Sequence, residues 1–138
     1  MIKKQLMRDE GVVKHVYLDH LGYQTIGAGF LVDKRKGGGV PDPVIDFWLD
    51  YEIEQRRNAL KTMLPFFNAL GPARQDALIN MAYQLGVNGL LGFNRTLHYL
   101  QRGDYELAAK EALDSIWAKQ TPERAKRIAE QIKTGVHQ

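Results

Sequence analysis

The chain contains no cysteine and only one serine. Without a thiol there is no disulfide framework, no cysteine-ligated zinc or iron–sulfur cluster and no thiol nucleophile. The lone serine, Ser115, lies in Asp114-Ser115-Ile116 with no Gly-x-Ser-x-Gly turn around it, which argues against a serine hydrolase. Histidine is sparse: His15 and His20 are five residues apart and His98 and His137 are isolated, so no pair has the i, i+4 spacing of a helical zinc site. No metal and no cofactor are expected. Every apolar stretch is broken by Asp, Gln or Gly before the roughly 18 residues that a membrane span needs. The start, Met1 to Leu6, is basic but leads into Arg8, Asp9 and Glu10 rather than an apolar run, so neither a signal peptide nor stable membrane insertion is expected.

What is present is 138 residues, 44% hydrophobic and 25% charged, the profile of one globular domain. Nineteen Lys and Arg against sixteen Asp and Glu give a net charge of +3, a bias towards polyanionic partners: nucleic acid, an anionic membrane or a bacterial wall. Ile2, Leu6 and Met7 share a helical face over residues 2–10, and Gly11 stops that helix. From 12 to 32 the residues turn to Val, Tyr, Thr, Ile and Phe with interspersed Gly, predicting an antiparallel hairpin of 16–18 against 23–30 that turns at 19–22. Residues 34–39 read as an exposed loop. Pro41-Asp42-Pro43 opens a long helix to about 64, with Val44, Phe47, Trp48 and Tyr51 as its early apolar face. Helical segments are then expected near 66–70, 73–85 and 94–102, after Asp104, and from Thr121-Pro122 to Gly135.

The fold class expected is α+β and mostly helical: a small β-containing lobe (12–42), a linking helix (43–64) and a helical lobe (1–11 and 65–138), with a ligand cleft between the lobes. Gly27-Ala28-Gly29 begins like a dinucleotide-binding turn, but Val32 stands where the third glycine belongs. The groups left for catalysis are carboxylates, Thr and Arg. Glu10 ends the first helix, where the negative end of the helix dipole pushes a carboxyl pKa upward, the direction that a general acid needs. Asp19 lies in the hairpin turn. Strand alternation puts Thr25, Gly27 and Gly29 on one face, a nearly bare strip of backbone against which a flat polymer can lie. Two carboxylates across a groove suit glycosidic cleavage. Taken singly, Glu10 also fits a solvated helix end, Asp19 a turn former and Thr25 a strand filler.

The order Leu6-x-x-Asp9-Glu10-Gly11, then Tyr17-x-Asp19-x-x-Gly22-Tyr23-x-Thr25-Ile26-Gly27-x-Gly29, strongly resembles the phage-type lysozymes of glycoside hydrolase family 24. A second block agrees in the same order: residues 80–86 (Asn-Met-Ala-Tyr-Gln-Leu-Gly), Gly92-Phe93, Ala108-Ala109, and Trp117-x-x-Gln120-Thr121-Pro122-x-Arg124-Ala125-x-Arg127. The resemblance implies a lysozyme-like fold and a muramidase, an endolysin acting on bacterial peptidoglycan as a monomer. It also implies synthesis in the host cytoplasm and release to the wall through a separate pore.

Carried over residue by residue, the resemblance makes Glu10 the general acid, Asp19 the carboxylate that directs water and Thr25 a holder of that water. Arg124 orients the glutamate, with Asp9 and Arg127 as a neighbouring pair. Tyr83 and Gln84 line the cleft, and Gly29 and Leu31 complete the substrate-binding or orienting set. Phe30 stands where the family has histidine, so the salt bridge that such a histidine supports is absent; Phe30 is expected to fill the space by apolar packing. Ile116 replaces a family arginine, and residues 34–39 stand in a shortened lower lobe. Trp117, Phe93, Met81 and Ile79 read as core. Two rival readings are a non-catalytic wall binder of the same fold and a small nucleic-acid binder, the second without any recognition-helix signature.

Overall fold

The computed structural model describes residues 2–18, 21–27, 30–31 and 39–138, apart from the side chains of Asp9, Glu10 and His15. The apolar spacing at Ile2, Leu6 and Met7 does produce a helix, α1 (Ile2–Glu10), ending ahead of Gly11. The β-rich segment forms β1 (Val13–Leu18), β2 (Gln24–Gly27) and β3 (Phe30–Leu31) in one antiparallel sheet of order β1-β2-β3. Tyr17 and Leu31 flank Thr25 from the two outer strands, and the β1–β2 register is interrupted between Val13 and Tyr17. The single strand expected over 23–30 is therefore corrected: β2 ends at Gly27, and the chain reverses so that Phe30 pairs back with Ile26. Gly27 has φ +70°, a conformation open to glycine and strained for side chains.

The long helix, α2 (Asp42–Met63), follows Pro41-Asp42-Pro43 as expected. After it come a 3-10 turn (Phe67–Ala69), α3 (Pro72–Leu85), α4 (Val87–Leu91), α5 (Asn94–Arg102), α6 (Tyr105–Leu113), α7 (Ile116–Gln120) and α8 (Pro122–Thr134). The chain divides into two compact units, residues 1–50 and 51–138. This composition, a small antiparallel sheet and a preponderance of helix, is a lysozyme-like α+β fold. No helix among the described residues is long and apolar enough to cross a membrane.

The hydrophobic core belongs to the second unit. Leu60, Phe67, Leu78, Met81, Leu90, Leu100 and Ile132 are fully or almost fully buried, closed together by the small residues Ala77, Ala82, Ala108, Ala112 and Ala125. Trp117, Met81 and Ile79 are buried in that cluster and Phe93 packs against it, as the sequence reading held. The early apolar face assigned to α2 is not a buried face. Val44, Phe47, Trp48 and Tyr51 are exposed, and burial on this helix begins at Ile53 and Leu60, where core side chains are available to cover it. Within the sheet Thr25 is buried, because it sits at the centre of the middle strand between two flanking strands.

Two helices had no counterpart in the sequence reading. α4 is a five-residue turn after Gly86, too short for hydrophobic periodicity to reveal. α7 is set off from α6 by Ser115, which caps it: Oγ accepts from the Ala118 N–H at 3.1 Å and donates to the Ala112 carbonyl at 2.7 Å. Thr121 stands at the start of α8 as expected, yet without a capping hydrogen bond to that helix.

The far end of α8 is tied to α3. Arg74 donates from Nε to the Ile132 carbonyl at 2.7 Å and from Nη2 to the Lys133 carbonyl at 3.2 Å, satisfying oxygens that the helix end leaves open. Its guanidinium lies 3.5 Å from the centre of the Tyr105 ring. Gln131 donates to the Ala73 carbonyl at 2.6 Å, and His137 Nε2 meets Asp76 Oδ2 at 2.7 Å.

Candidate functional site

Of the eight candidate site residues, the first unit holds five. Glu10 closes α1, so its place at a helix C-terminus is as expected. Its side chain, together with Asp19 and Gly29, lies outside the described residues. Thr25 is 3% exposed, and its hydroxyl donates to the Tyr23 carbonyl at 3.1 Å, which leaves the oxygen's lone pairs as acceptors. Leu31 pairs with Thr25 across β2–β3 and is exposed.

The bare strip expected beside Thr25 is covered at Gly27. A Cβ placed at this residue would stand 2.9 Å from Phe30 Cδ2, so the phenyl ring rests directly over the glycine. Phe30 itself is 65% exposed, which corrects the expectation that it is packed away. The physical reason is the chain reversal: β3 places Phe30 opposite Ile26 at the sheet edge rather than farther along the same strand.

The remaining three candidates, Tyr83, Gln84 and Arg124, belong to the second unit. Arg124, in the first turn of α8, donates from Nε to Asn80 Oδ1 at 2.9 Å, and from Nη2 to Oδ1 at 2.6 Å and to the Asn80 carbonyl at 3.3 Å. Gln84 is engaged at both ends of its amide. Oε1 accepts the Trp117 indole N–H at 2.9 Å, and Nε2 donates to Thr121 Oγ1 at 3.4 Å. Thr121 in turn donates to the Trp117 carbonyl at 3.1 Å. The amide thus fastens α7 and the start of α8 to α3. Tyr83 is exposed, with the Arg56 guanidinium 4.7 Å from its ring centre; Arg56 also pairs with Glu52 one turn earlier on α2.

Beside this network runs an open groove of about 610 Å³. Phe93 and Trp117 line it, packed edge to face with centroids 5.8 Å apart. Arg95, Glu111, Asp114 and Gln120 supply polar groups, and Arg95 and Glu111 approach to 3.9 Å. Ile116 also lines the groove and is 73% exposed. Trp117 is itself almost wholly buried, so what the groove offers is the partly exposed Phe93 together with charges of both signs.

The sequence reading had not assigned a role to Asn80. A signal was available, since Asn80 and Gln84 are one helical turn apart and so share a face of α3. Trp117, expected in the core, is there, and its N–H also anchors Gln84.

Residues 7–131 match the phage lysozyme family. This chain belongs to that family. Lysozymes are glycoside hydrolases, and the enzyme class expected from the sequence stands. The chain is 32% identical to the pre-baseplate central spike protein Gp5 of Enterobacteria phage T4, over 96% of this chain and 27% of the spike protein. It therefore spans little more than a quarter of that relative's length. It is also 30% identical to probable T4-type lysozyme 1 of Dictyostelium discoideum, over 97% of this chain and 94% of that protein. Probable T4-type lysozyme 2 of the same organism is 25% identical with the same coverage.

Proposed function

We propose that this lysozyme is a muramidase of glycoside hydrolase family 24, hydrolysing the β-1,4 bond between N-acetylmuramic acid and N-acetylglucosamine in bacterial peptidoglycan. Glu10 gives its proton to the departing glycosidic oxygen. Asp19 takes a proton from the attacking water, whose oxygen bonds to the anomeric carbon as the C–O bond breaks; Thr25 holds that water. Arg124 orients the glutamate. The observation that carries the reading is the family match over residues 7–131, with a glutamate at the end of α1 and a threonine at the centre of the sheet. No cofactor enters this scheme. The enzyme acts as a monomer, is made in the host cytoplasm, reaches the wall through a separate pore and lyses the cell.

The decisive experiment is digestion of purified peptidoglycan, with the products analysed by mass spectrometry and the anomer captured early. New N-acetylmuramic reducing ends of inverted configuration are expected. Glu10→Gln, folded by circular dichroism, should be slower by a factor of about 100 or more. A folded Glu10→Gln variant that clears walls at the normal rate would remove Glu10 from the acid role.

The alternative, a wall binder without activity, draws support from the exposed Phe30 and from Ile116 on the groove, both departures from the family pattern. Such a protein would sediment with walls and release no reducing ends.

A further inference from the structure

The guanidinium of Arg124 is held along one edge by a single residue. Its Nε–H and an Nη2–H converge on Asn80 Oδ1 at 2.9 and 2.6 Å, and Nη2 also reaches the Asn80 carbonyl at 3.3 Å. With two donors meeting one side-chain atom, that atom is the amide oxygen and not the nitrogen, so the orientation of the Asn80 amide follows from chemistry. A planar guanidinium bound along its Nε–Nη2 edge leaves Nη1 on the opposite side, where it makes no hydrogen bond among the described residues.

The identity of the acceptor matters as much as its position. Aspartate at 80 would supply the same oxygen, but it would form an ion pair and cancel the guanidinium charge towards anything beyond it. Asparagine grips the group and leaves its full positive charge to act elsewhere. The side chain of Arg124 is long and rich in rotamers; one hydrogen-bonded edge removes most of that freedom before any substrate arrives. Asn80 is itself on the surface of α3 and adds nothing to the core, so its contacts with Arg124 are the interactions that give it a role.

We infer that Asn80 is a positioning residue of the hydrolysis proposed above: it fixes Arg124 with an uncharged acceptor, so that the guanidinium is held in one orientation with its charge undiminished. The inference rests on that reading of the reaction. It acts through Arg124, not on the sugar, and this gives it a signature that ordinary structural support lacks.

The test is kinetic, on purified peptidoglycan, with wild type, Asn80→Ala, Asn80→Asp, Arg124→Ala and the Asn80→Ala/Arg124→Ala double variant, each checked for its melting temperature. Asn80→Ala should lower kcat about tenfold, with KM little changed and the fold intact. In the Arg124→Ala background the same substitution should have no further effect, because the group it serves is gone. Asn80→Asp should melt no lower than wild type, having exchanged a neutral acceptor for a charged one, and still lose activity. Full activity in either Asn80 variant would overturn the inference, as would an undiminished effect of Asn80→Ala when Arg124 is absent. A wild-type protein that releases no reducing ends would overturn both this inference and the muramidase reading, whereas an active wild type with unaffected Asn80 variants would remove the inference alone.

Discussion

Asn80 and Gln84 stand one turn apart on α3, and each takes hold of a side chain from the α7–α8 segment: Arg124 at Asn80, Trp117 at Gln84. Thr121 lies between the two rungs, accepting from Gln84 and donating back to the Trp117 carbonyl. Three residues spaced 117, 121, 124 are thus read by two spaced 80, 84. The arrangement keeps the Arg124 guanidinium and the Trp117 side of the groove in fixed relation within one unit, since Trp117 belongs to both the network and the groove lining.

Trp117→Phe is the cleanest break in the lower rung. It preserves a ring against Phe93 but removes the donor, leaving Gln84 Oε1 without its partner in a part-buried setting. A loss of about 1–3 kcal/mol in urea unfolding is expected. A double-mutant cycle with Gln84→Ala should return a coupling of about 0.5–1.5 kcal/mol, and strict additivity would mean that the contact has no net worth.

Ser115 is a cap and not a nucleophile. Ser115→Ala deletes the acceptor for the Ala118 N–H and should destabilise the protein by about 1 kcal/mol, while wall-clearing activity per folded molecule stays at the wild-type level. Abolished activity in a folded variant would contradict this assignment.

Gly135 ends α8 at φ +73°, and a Cβ there would come within 2.8 Å of Arg74 Nη1. Gly135→Ala should therefore lose about 1–2 kcal/mol from backbone strain, plus whatever is lost when Arg74 shifts from the carbonyls it caps. Repeating the substitution in an Arg74→Ala background separates the two parts: the penalty should shrink but not vanish. An equal penalty in both backgrounds would show that Arg74 yields freely.

Thr25 offers a test of the water-holding role that leaves the sheet in place. Thr25→Val keeps the branched shape at the centre of β2 and removes the oxygen; activity on peptidoglycan should drop by a factor of about 10–100. Thr25→Ser should recover most of it. If Thr25→Val is as active as wild type, the hydroxyl serves only the Tyr23 carbonyl.

Much of the fold was legible because long elements carry redundant signals. α1, α2, α3, α5 and α8 each combine apolar spacing with a proline or glycine boundary, and the structure places them within a residue or two of the expected limits. The short elements were not: α4 and α7 have five residues each, little more than one turn, and the strand expected over 23–30 hides a reversal that depends on the positive φ of Gly27. Composition showed which residue types were present around the candidate site but not what they bind. Gln84 reads equally well as a sugar contact or as an anchor for an indole, because an amide offers the same groups to either. Asn80 went unassigned for a similar reason: its value lies in being neutral beside a cation 44 residues away, a relation that no local pattern encodes.

Phe30 resting on Gly27 makes the two positions interdependent. A side chain at 27 must displace the ring as well as bear an unfavourable backbone angle, and a ring-free residue at 30 would lift only the first of these obstacles. Among descendants of this chain, alternatives at 27 should accordingly turn up more readily after the aromatic at 30 has given way, a bias imposed by sterics on the route that variation can take.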